Sequence, residues 1–470
     1  MIRLHYYYQD LRALRDRGAP EQEVMEFVRS VVSDHKSTEQ YKKAKDAEQY
    51  YANHNVTMER YRKFLYTATG EKIPDLISAN YKLKSGFFRR AVTQQVQYVL
   101  ANGVTFKQEN TKERLGGDFD TRLVTAATKA CVDGVSYLFW NKDHVEVFCF
   151  ADTPNSPGFA PLEDTDSGLL RSGVRYWAVR KETYRYTLYE EDGYTEYIKR
   201  GDEEMEIFQP KRPYILHVQT TEADGVEVVS GENYASFPIV PFYANDLHES
   251  ELNSVRDSID CMDFIKSGLA NEIDDTAGIY WVIKNAGGMD DYDMANWLQK
   301  LRTVHSMMVD SEAGEDAKPN TIAVPYEARS KMIEILEQDM YRDFQLLNVE
   351  NISASSKTAT EIRAAYQPQD DKCSAFEYAL IECIHRVLRL AGIDDEPSFK
   401  WNRIANQTEE TNMVMSASVV LGEELTLKKL PFLTPEEVQE RLSSLDDETL
   451  ARYDFSAQGG AQNATDGDNE

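Results

Sequence analysis

The sequence predicts an α+β protein in which a long helical hairpin carries a small α/β insert. In residues 250–276, 326–347 and 357–391, apolar side chains recur at steps of three and four, which is typical of helices buried on one face. In residues 135–229, short runs rich in β-forming residues are separated by turn signals, which indicates an antiparallel sheet. These two observations place the chain in the α+β class.

The chain is long enough for two or three domains and is strongly acidic. Its 470 residues include 52 Lys and Arg against 80 Asp and Glu, a formal net charge of −28 at pH 7. Proteins that grip nucleic acid carry basic surfaces, so tight binding of nucleic acid is not expected. The five cysteines have no CxxC spacing, which favours reduced structural thiols. No apolar run has the length of a signal peptide core or a membrane span.

The first half of the chain is predicted to hold helices followed by the sheet. Helices are expected over residues 21–32, 73–100 and 119–130. The most basic local patch lies within the second of these and consists of Lys82, Lys84, Arg89 and Arg90. Two interpretations of this patch stay open: charge balance within an acidic protein, or contact with DNA or an acidic neighbouring subunit.

Strands are predicted over residues 135–140, 145–150, 174–179, 184–189, 194–198, 205–208, 214–220 and 227–229. Residues 154–173 are rich in Pro, Gly and Asp and are predicted to form a loop. Glu190–Gly193 (EEDG) is a hairpin signal. The many tyrosines of this region are interpreted as packing residues rather than a ligand site.

The hairpin is predicted to begin at Ser250, a good N-cap that is followed by an acidic residue. Its second helix follows Pro325, which suits a first turn. A small polar loop follows over residues 348–356, and helix resumes at Lys357. Pro368 has no N–H to donate, so we expect it to kink or break this helix, which then ends at Gly392.

Residues 277–324 lie between the two hairpin helices and are predicted to form a small α/β module. Its elements would be strands over 278–285, 306–310 and 320–324 and a short helix over 294–301. After Gly392 we expect a strand near residue 400 and helices over 409–420 and 435–444. Residues 454–470 have no Lys or Arg and are predicted to be disordered.

No motif for catalysis, nucleotide binding or metal binding is present in the sequence. Walker A, GxGxxG, GxSxG, HExxH, paired CxxC and EF-hand patterns are all missing, and no two of the eight histidines share i, i+4 spacing. Asp290, Asp291 and Asp293 lack further ligands at loop spacing, so the acidic start of a helix is favoured over a cation site. We therefore expect no catalytic residue, cofactor or metal.

Four segments, in this order along the chain, resemble the portal proteins of tailed double-stranded DNA bacteriophages of the siphophage type. They are IPDLISANYKLKSGFFRRAVTQQVQYVLANGVTF (73–106), PIVPFYAND with the helix after it (238–275), VPYEARSKMIEILEQDMYRD (324–343) and SSKTATEIRAAY (355–366). The resemblance spans about Ile73 to Gly392. One departure is Lys357, which stands where many relatives have glycine.

The resemblance implies an order of domains. They would be a wing of helices and antiparallel sheet (1–245), a first stem helix (246–276), a clip (277–325), a second stem helix (326–347), a tunnel loop (348–358), a long kinked wing helix (359–395), a helical crown (396–453) and a disordered acidic tail (454–470).

The resemblance also implies a structural, non-enzymatic function. About twelve copies would form a ring at one capsid vertex, through which double-stranded DNA is packaged and ejected without sequence specificity. Implied partners are the large terminase subunit, a head-completion or adaptor protein, and the capsid and scaffolding proteins. The ring would sit in the virion, after assembly in the host cytoplasm, with no membrane contact.

Three sets of residues receive roles from the resemblance. The tunnel loop would contact the DNA channel through Asn348, Asn351, Ser353, Ser355, Ser356 and Lys357. The channel wall would repel DNA through Glu334, Glu337, Asp339 and Asp343. The clip would bind partner proteins through Trp281, Tyr292 and Trp297. For Lys357 a helix cap or an intersubunit salt bridge stays open as an alternative, and for the clip aromatics burial inside the clip does.

Two other classes of function are also considered. One is an acidic non-enzymatic adaptor or scaffold, monomeric or dimeric, that binds partners through residues 277–325. The other is an enzyme with an unrecognised site, which should show clustered titratable groups in a pocket.

Overall fold

The computed structural model describes residues 6–66, 70–76, 78–221, 225–274, 279–283, 292, 317–321, 326–348, 359–402, 407–430, 433, 438, 441–442 and 444. The chain divides into a larger unit, from Met1–Lys357 and Glu361–Asn402, and a smaller unit, from Thr358–Thr360 and Arg403–Glu470. Helices and strands are both abundant and largely segregated along the chain, which confirms the α+β class.

The helices follow the predicted stripes closely in most places. They are α1 (Tyr8–Asp16), α2 (Glu21–Ser37), α3 (Glu39–Tyr51), α4 (Val56–Arg60), α5 (Phe87–Leu100), α6 (Thr111–Leu115), α7 (Phe119–Asp133), α8 (Arg256–Asp274), α9 (Tyr326–Asp343), α10 (Ala359–Ala391) and α11 (Gln407–Lys429). A 3₁₀ turn, Glu251–Ser254, precedes α8, and the Ser250 hydroxyl caps it by accepting from the Leu252 N–H at 3.2 Å.

The strands include two in the main sheet, over residues 158–163 and 239–243, that are not among the strands predicted above. They are β1 (Phe64–Tyr66), β2 (Lys72–Pro74), β3 (Val104–Phe106), β4 (Val135–Asn141), β5 (His144–Cys149), β6 (Gly158–Glu163), β7 (Leu170–Arg180), β8 (Thr183–Glu190), β9 (Gly193–Arg200), β10 (Glu206–Arg212), β11 (Ile215–Thr221), β12 (Gly225–Glu232), β13 (Ile239–Tyr243), β14 (Ile279–Ile283), β15 (Ala317–Thr321) and β16 (Pro397–Phe399).

The main sheet has eight strands in the order β10-β9-β8-β7-β6-β5-β4-β13. Every pairing is antiparallel except that of β5 with β6. Strand β6 lies inside residues 154–173 and β7 begins at Leu170, so the loop predicted there is wrong for residues 158–163 and 170–173. The β6 apolar side chains Phe159, Ala160 and Leu162 are buried, and this burial outweighs the turn-forming composition around them.

The hairpin signal at Glu190–Gly193 is confirmed as the tight turn between β8 and β9. Gly193 has φ +134°, and a Cβ at this position would lie 2.4 Å from the Arg212 carbonyl oxygen. Only glycine fits both the backbone angle and the close approach.

The helices and the sheet bury three groups of apolar side chains. The largest is contributed by α5, α7, α8, α9 and α10 and includes Phe88, Ile259, Phe344 and Phe376. The second joins α1 and α2 to β6–β9. The third is mostly aromatic and includes Tyr137, Phe148 and Tyr189. The interpretation of the sheet tyrosines as packing residues agrees with the burial of Tyr137 and Tyr189.

The helix predicted over residues 73–100 begins only at Phe87, so its first half is wrong. Lys72–Pro74 form β2, and residues 78–86 have no regular secondary structure. The basic residues Lys82 and Lys84 consequently lie outside the helix, whereas Arg89 and Arg90 are exposed in the first turn of α5.

A row of polar side chains on α8 holds this segment in an extended form. Asp263 accepts from the Ser85 N–H at 2.8 Å, Ser267 from the Leu83 N–H at 2.9 Å and Asn271 from the Tyr81 N–H at 2.6 Å. Four residues of helix rise about 6 Å, close to the rise of two extended residues. The spacing of this polar row therefore matches alternate N–H groups of an extended chain, which a local apolar pattern does not reveal.

Helix α10 runs through Pro368 without a break. Pro368 is exposed, whereas Tyr366 before it and Gln369 after it are buried, so packing fixes the helix on both sides of the missing hydrogen bond. None of the helices within the described ranges is long and apolar enough to cross a bilayer.

The buried carboxyl of Asp263 gives a test of the polar row. Burial raises its pKa from 3.8 to about 6. A carboxyl whose pKa is higher in the folded state favours folding below about pH 4, and this contribution is lost as the pH rises through about 6. In the wild type, Asp263 should therefore lower the free energy of unfolding by roughly 2–3 kcal/mol between about pH 4 and about pH 7, and in D263N this fall should be absent.

The measurement is urea unfolding of both proteins at about pH 4 and about pH 7. The control is D257N, which changes an exposed carboxyl of the same helix. An unchanged difference between the two pH values in D263N would contradict the assignment of the titrating group.

Candidate functional site

The two hairpin helices and the strands at their tip occupy the predicted order. Helix α8 leads toward β14, β15 leads toward α9, and the two strands pair antiparallel from Ile279↔Thr321 to Ile283↔Ala317. Arg329 donates two hydrogen bonds to Glu272, at 2.6 and 2.8 Å, and so joins the end of α8 to the start of α9. The insert is thus carried between two helices that are fixed to each other.

The four acidic residues predicted for the channel wall all lie on α9, and they differ in their surroundings. Glu334 pairs with Lys331 and Asp339 with Arg342, both at 2.9 Å. Within the described part of the chain, Glu337 and Asp343 have no cationic partner. The wall is therefore partly neutralised within one chain.

Helical spacing divides these acids into two pairs. Residues three or four positions apart are neighbours on a helix, which groups Glu334 with Glu337 and Asp339 with Asp343. Nine positions separate Glu334 from Asp343, and at 100° per residue this places them on opposite sides of the helix. A single axis can therefore be faced by only one pair.

The structure describes only some of the remaining predicted site residues. Asn348 is half-buried at the end of the described part of the loop, whereas Asn351, Ser353, Ser355, Ser356 and Lys357 lie outside the described residues. Trp281 is placed in β14, Tyr292 is 74% exposed, and Trp297 lies outside the described residues.

The chain directly before the predicted tunnel loop is fixed to α5 and α10 by residues that the sequence did not point to. Before the loop, the Leu347 N–H donates to the Gln369 side chain at 3.0 Å, and Gln94 of α5 donates to the Leu347 carbonyl at 3.1 Å. After the loop, Asp370 accepts from the Tyr98 hydroxyl at 2.5 Å. A polar run directly after Pro368, on a helix with an otherwise apolar face, was the available signal.

Lys372 makes a nearly enclosed ion pair close to these contacts. It donates to Glu251 at 2.8 Å and to the Phe344 carbonyl at 3.0 Å, and its ammonium lies 3.7 Å from the centre of the Phe344 ring. It thus joins the 3₁₀ turn before α8, the end of α9 and the body of α10. The chain at Phe344, shortly before the predicted loop, is thus tied to two other elements.

The described residues offer no centre for catalysis or metal binding. No group of three or more His, Cys, Asp or Glu among them is arranged to hold a metal ion. Burial raises the pKa of the Cys131, Cys373 and Cys383 thiols, which disfavours their reactive thiolate forms.

The Lys372 contact predicts a large effect of a single substitution. K372M leaves the Glu251 carboxylate nearly buried and without its cation, which should cost about 3 kcal/mol. In the double variant E251Q/K372M no charge is left unpaired, so its urea midpoint should lie above that of K372M. A double variant as unstable as the sum of the two single variants would contradict a coupled pair.

Comparison with known proteins agrees with the resemblance found in the sequence. A family model described as "Phage portal protein, SPP1 Gp6-like" matches residues 32–449. The portal protein of Clostridium phage phiCD119 is 21% identical over 438 residues, which cover 89% of this chain and 95% of that protein. The portal protein of Bacillus phage SPP1 is 22% identical over 304 residues, which cover 62% of this chain and 58% of that protein.

Among solved structures, a chain from the neck of a native GTA particle computed with C12 symmetry is similar at a TM-score of 0.37 and 12% identity. The similarity covers 76% of this chain and 89% of that one. The family assignment rests on the sequence match, because it extends over nearly the whole chain: this chain belongs to the SPP1 Gp6-like family of phage portal proteins.

Proposed function

We propose that about twelve copies of this chain form a closed ring at one capsid vertex, and that double-stranded DNA enters and leaves through its axial channel. The observation that carries the ring is the exposed apolar surface of the hairpin. Phe264 and Ile273 on α8 and Met332 and Ile335 on α9 are between 37% and 74% exposed. Two adjoining helices with apolar side chains on their outer faces are typical of a surface that another chain covers.

The hairpin would serve as the stem of this ring, with α8 and α9 as its two helices. Residues 277–325 would form the clip, residues 348–358 the tunnel loop and residues 396–453 the crown. The contacts before the loop support this assignment, because Gln369 and Lys372 fix Leu347 and Phe344 at the start of a segment that would lie beside moving DNA.

Helix α9 would line the channel and repel the DNA backbone. Lys and Arg contacts to phosphate release counterions and bind DNA, so a channel that must let DNA slide should present carboxylates instead. Of the two pairs, we assign Glu334 and Glu337 to the channel. Asp343 instead lines a groove beside α10, so we assign Asp339 and Asp343 to another surface of the subunit.

The clip would bind the large terminase subunit during packaging and head-completion or adaptor proteins afterwards. Trp281, Tyr292 and Trp297 are its proposed anchors, because aromatic side chains dominate the energetics of protein interfaces. The exposure of Tyr292 supports this role. Catalysis of ATP hydrolysis would then belong to the terminase, and this chain would act without catalytic residues of its own. Capsid and scaffolding proteins would hold the ring at its vertex.

The size of the assembly tests the proposed ring. Light scattering across a salt series should give a species of roughly 650 kDa, about twelve times the 53.8 kDa chain. Assembly is to be examined both with the chain alone and with its scaffolding and capsid proteins. A chain that stays monomeric or dimeric under both conditions contradicts the ring and favours an adaptor.

The assignment of one acidic pair to the channel predicts an asymmetry between two matched variants. In assembled rings, E334K/E337K should retain double-stranded DNA at low salt, at least about tenfold more tightly than wild type, with retention falling steeply as salt rises. D339K/D343K has the same change of charge on the same helix and should not retain DNA more tightly than wild type. Because Asp343 lines the groove beside α10, only variant rings of the wild-type mass are compared.

Filter binding of rings to linear DNA measures both variants. Equal retention by the two, or retention by D339K/D343K alone, would contradict the assignment. Rings whose packaging rate is unaffected by E334K/E337K would contradict the role of these carboxylates in DNA passage.

A further inference from the structure

A patch that combines positive charge with exposed apolar side chains lies beside α8. We define the basic–aromatic surface as Tyr61, Arg62, Lys82, Leu83 and Phe264. The rings of Tyr61 and Phe264 lie 5.2 Å apart edge to face. Arg62 and Lys82 both donate to the Glu59 carbonyl oxygen, at 2.6 and 3.3 Å. These contacts bring Tyr61 together with Phe264 and Arg62 together with Lys82, and Leu83 follows Lys82 in the chain.

The positive charge of this surface is not balanced within the described part of the chain. The Glu59 carboxylate pairs with Lys84 and His54, and among the described residues neither Arg62 nor Lys82 has a carboxylate partner. Partial burial, together with the positive charge of Arg62, lowers the pKa of Lys82. Tyr61, Leu83 and Phe264 are 36%, 45% and 37% exposed. Two cations and three large apolar groups thus face outward together.

A second surface of the same unit has the opposite charge. A groove of about 840 Å³ lies between residues 244–249 and the outer face of α10. We define the acidic groove by five of its lining residues, which are Asp246, Leu247, Asp371, Tyr378 and Glu382. Leu247 and Tyr378 are 75% and 74% exposed. Within the described ranges Asp246 and Asp371 have no cationic partner, and Glu382 pairs with Arg386.

We propose that the basic–aromatic surface of one copy docks in the acidic groove of the next copy around the ring. This inference rests on the proposed ring and names the surfaces that close it. Contacts in a cyclic ring of more than two copies are heterologous, so each chain must carry two different surfaces that fit each other. The two surfaces here are opposite in charge, and each presents large exposed apolar side chains.

DNA fits the basic–aromatic surface less well than a second copy does. Binding to the DNA backbone uses cations and polar donors, and it leaves Tyr61, Leu83 and Phe264 without a role. Apolar side chains surrounded by charge are the composition of a protein interface, with a desolvated centre and a polar rim. Opposite charges across such an interface select the partner and its register.

Charge reversal of each surface tests the contact in the full-length chain. R62E/K82E makes the basic–aromatic surface acidic, and D371K/E382K makes the acidic groove basic. Each variant alone should bring like charges together at every contact and raise the protein concentration needed for ring formation at least about tenfold. Circular dichroism and thermal unfolding confirm that each variant is folded.

Mixing the two variants gives the most specific outcome. In an alternating ring the acidic surface of one variant meets the basic groove of the other, and the reverse holds at the next contact. The equimolar mixture should therefore recover rings of the wild-type mass, detected by light scattering, although neither variant forms them alone. R12E/R17E on α1 has the same change of charge as R62E/K82E and should assemble like wild type.

Each other outcome has a definite meaning. Wild-type rings with normal assembly of both variants would overturn the contact and leave the proposed ring intact. A mixture that fails to recover rings from two folded, defective variants would also overturn it. Loss of DNA retention in R62E/K82E with unchanged ring assembly would assign the surface to DNA instead. Failure of the wild-type chain to form any ring would overturn the contact and the proposed ring together.

Discussion

Helix α8 is held on several sides, and the rest of the larger unit depends on this arrangement. Ile259 and Met262 are buried in the main core, while Asp263, Ser267 and Asn271 bind the backbone of residues 81–85. Helix α9 packs beside it. A helix that must supply an apolar face and a row of precisely spaced acceptors tolerates little rotation, because a turn of one residue would break both sets of contacts at once. The orientation of α8 within the larger unit is therefore fixed by both its apolar and its polar faces.

The charged residues of these helices fall into two groups, which are those buried in contacts within the chain and those exposed on α9. Buried charge is used for holding: Lys372 and Glu251 are paired and nearly enclosed at the base of the loop. Charge on α9 is mostly exposed and only partly neutralised, which suits a wall beside a polyanion that must keep moving. With a net charge of −28, carboxylates are abundant on the whole chain, so the proposed acidic channel requires no unusual local composition. The few exposed basic residues can then distinguish the proposed surface between neighbouring copies.

Most of the fold could be predicted from local patterns. The apolar stripes of α7, α9 and α10 and the alternation of β7–β9 predicted these elements, because each of them buries one face against its neighbours. Residues 73–86 could not be assigned in this way, since side chains about 190 positions away hold their backbone extended. Strand β6 was missed because burial outweighs its Pro- and Gly-rich setting. The four acids proposed for the channel lie on the helix predicted for them. The pairing of two of them with Lys331 and Arg342, and the contacts before the loop, depend on geometry that the order of residues does not show.

Electron cryo-microscopy of the assembled chain tests the central claim most directly. The account predicts a closed ring whose innermost helices are α9, with Glu334 and Glu337 facing the opening and α8 lying behind them. An assembly that is not closed, or a ring that places the hairpin on its outer rim away from the axis, would contradict it.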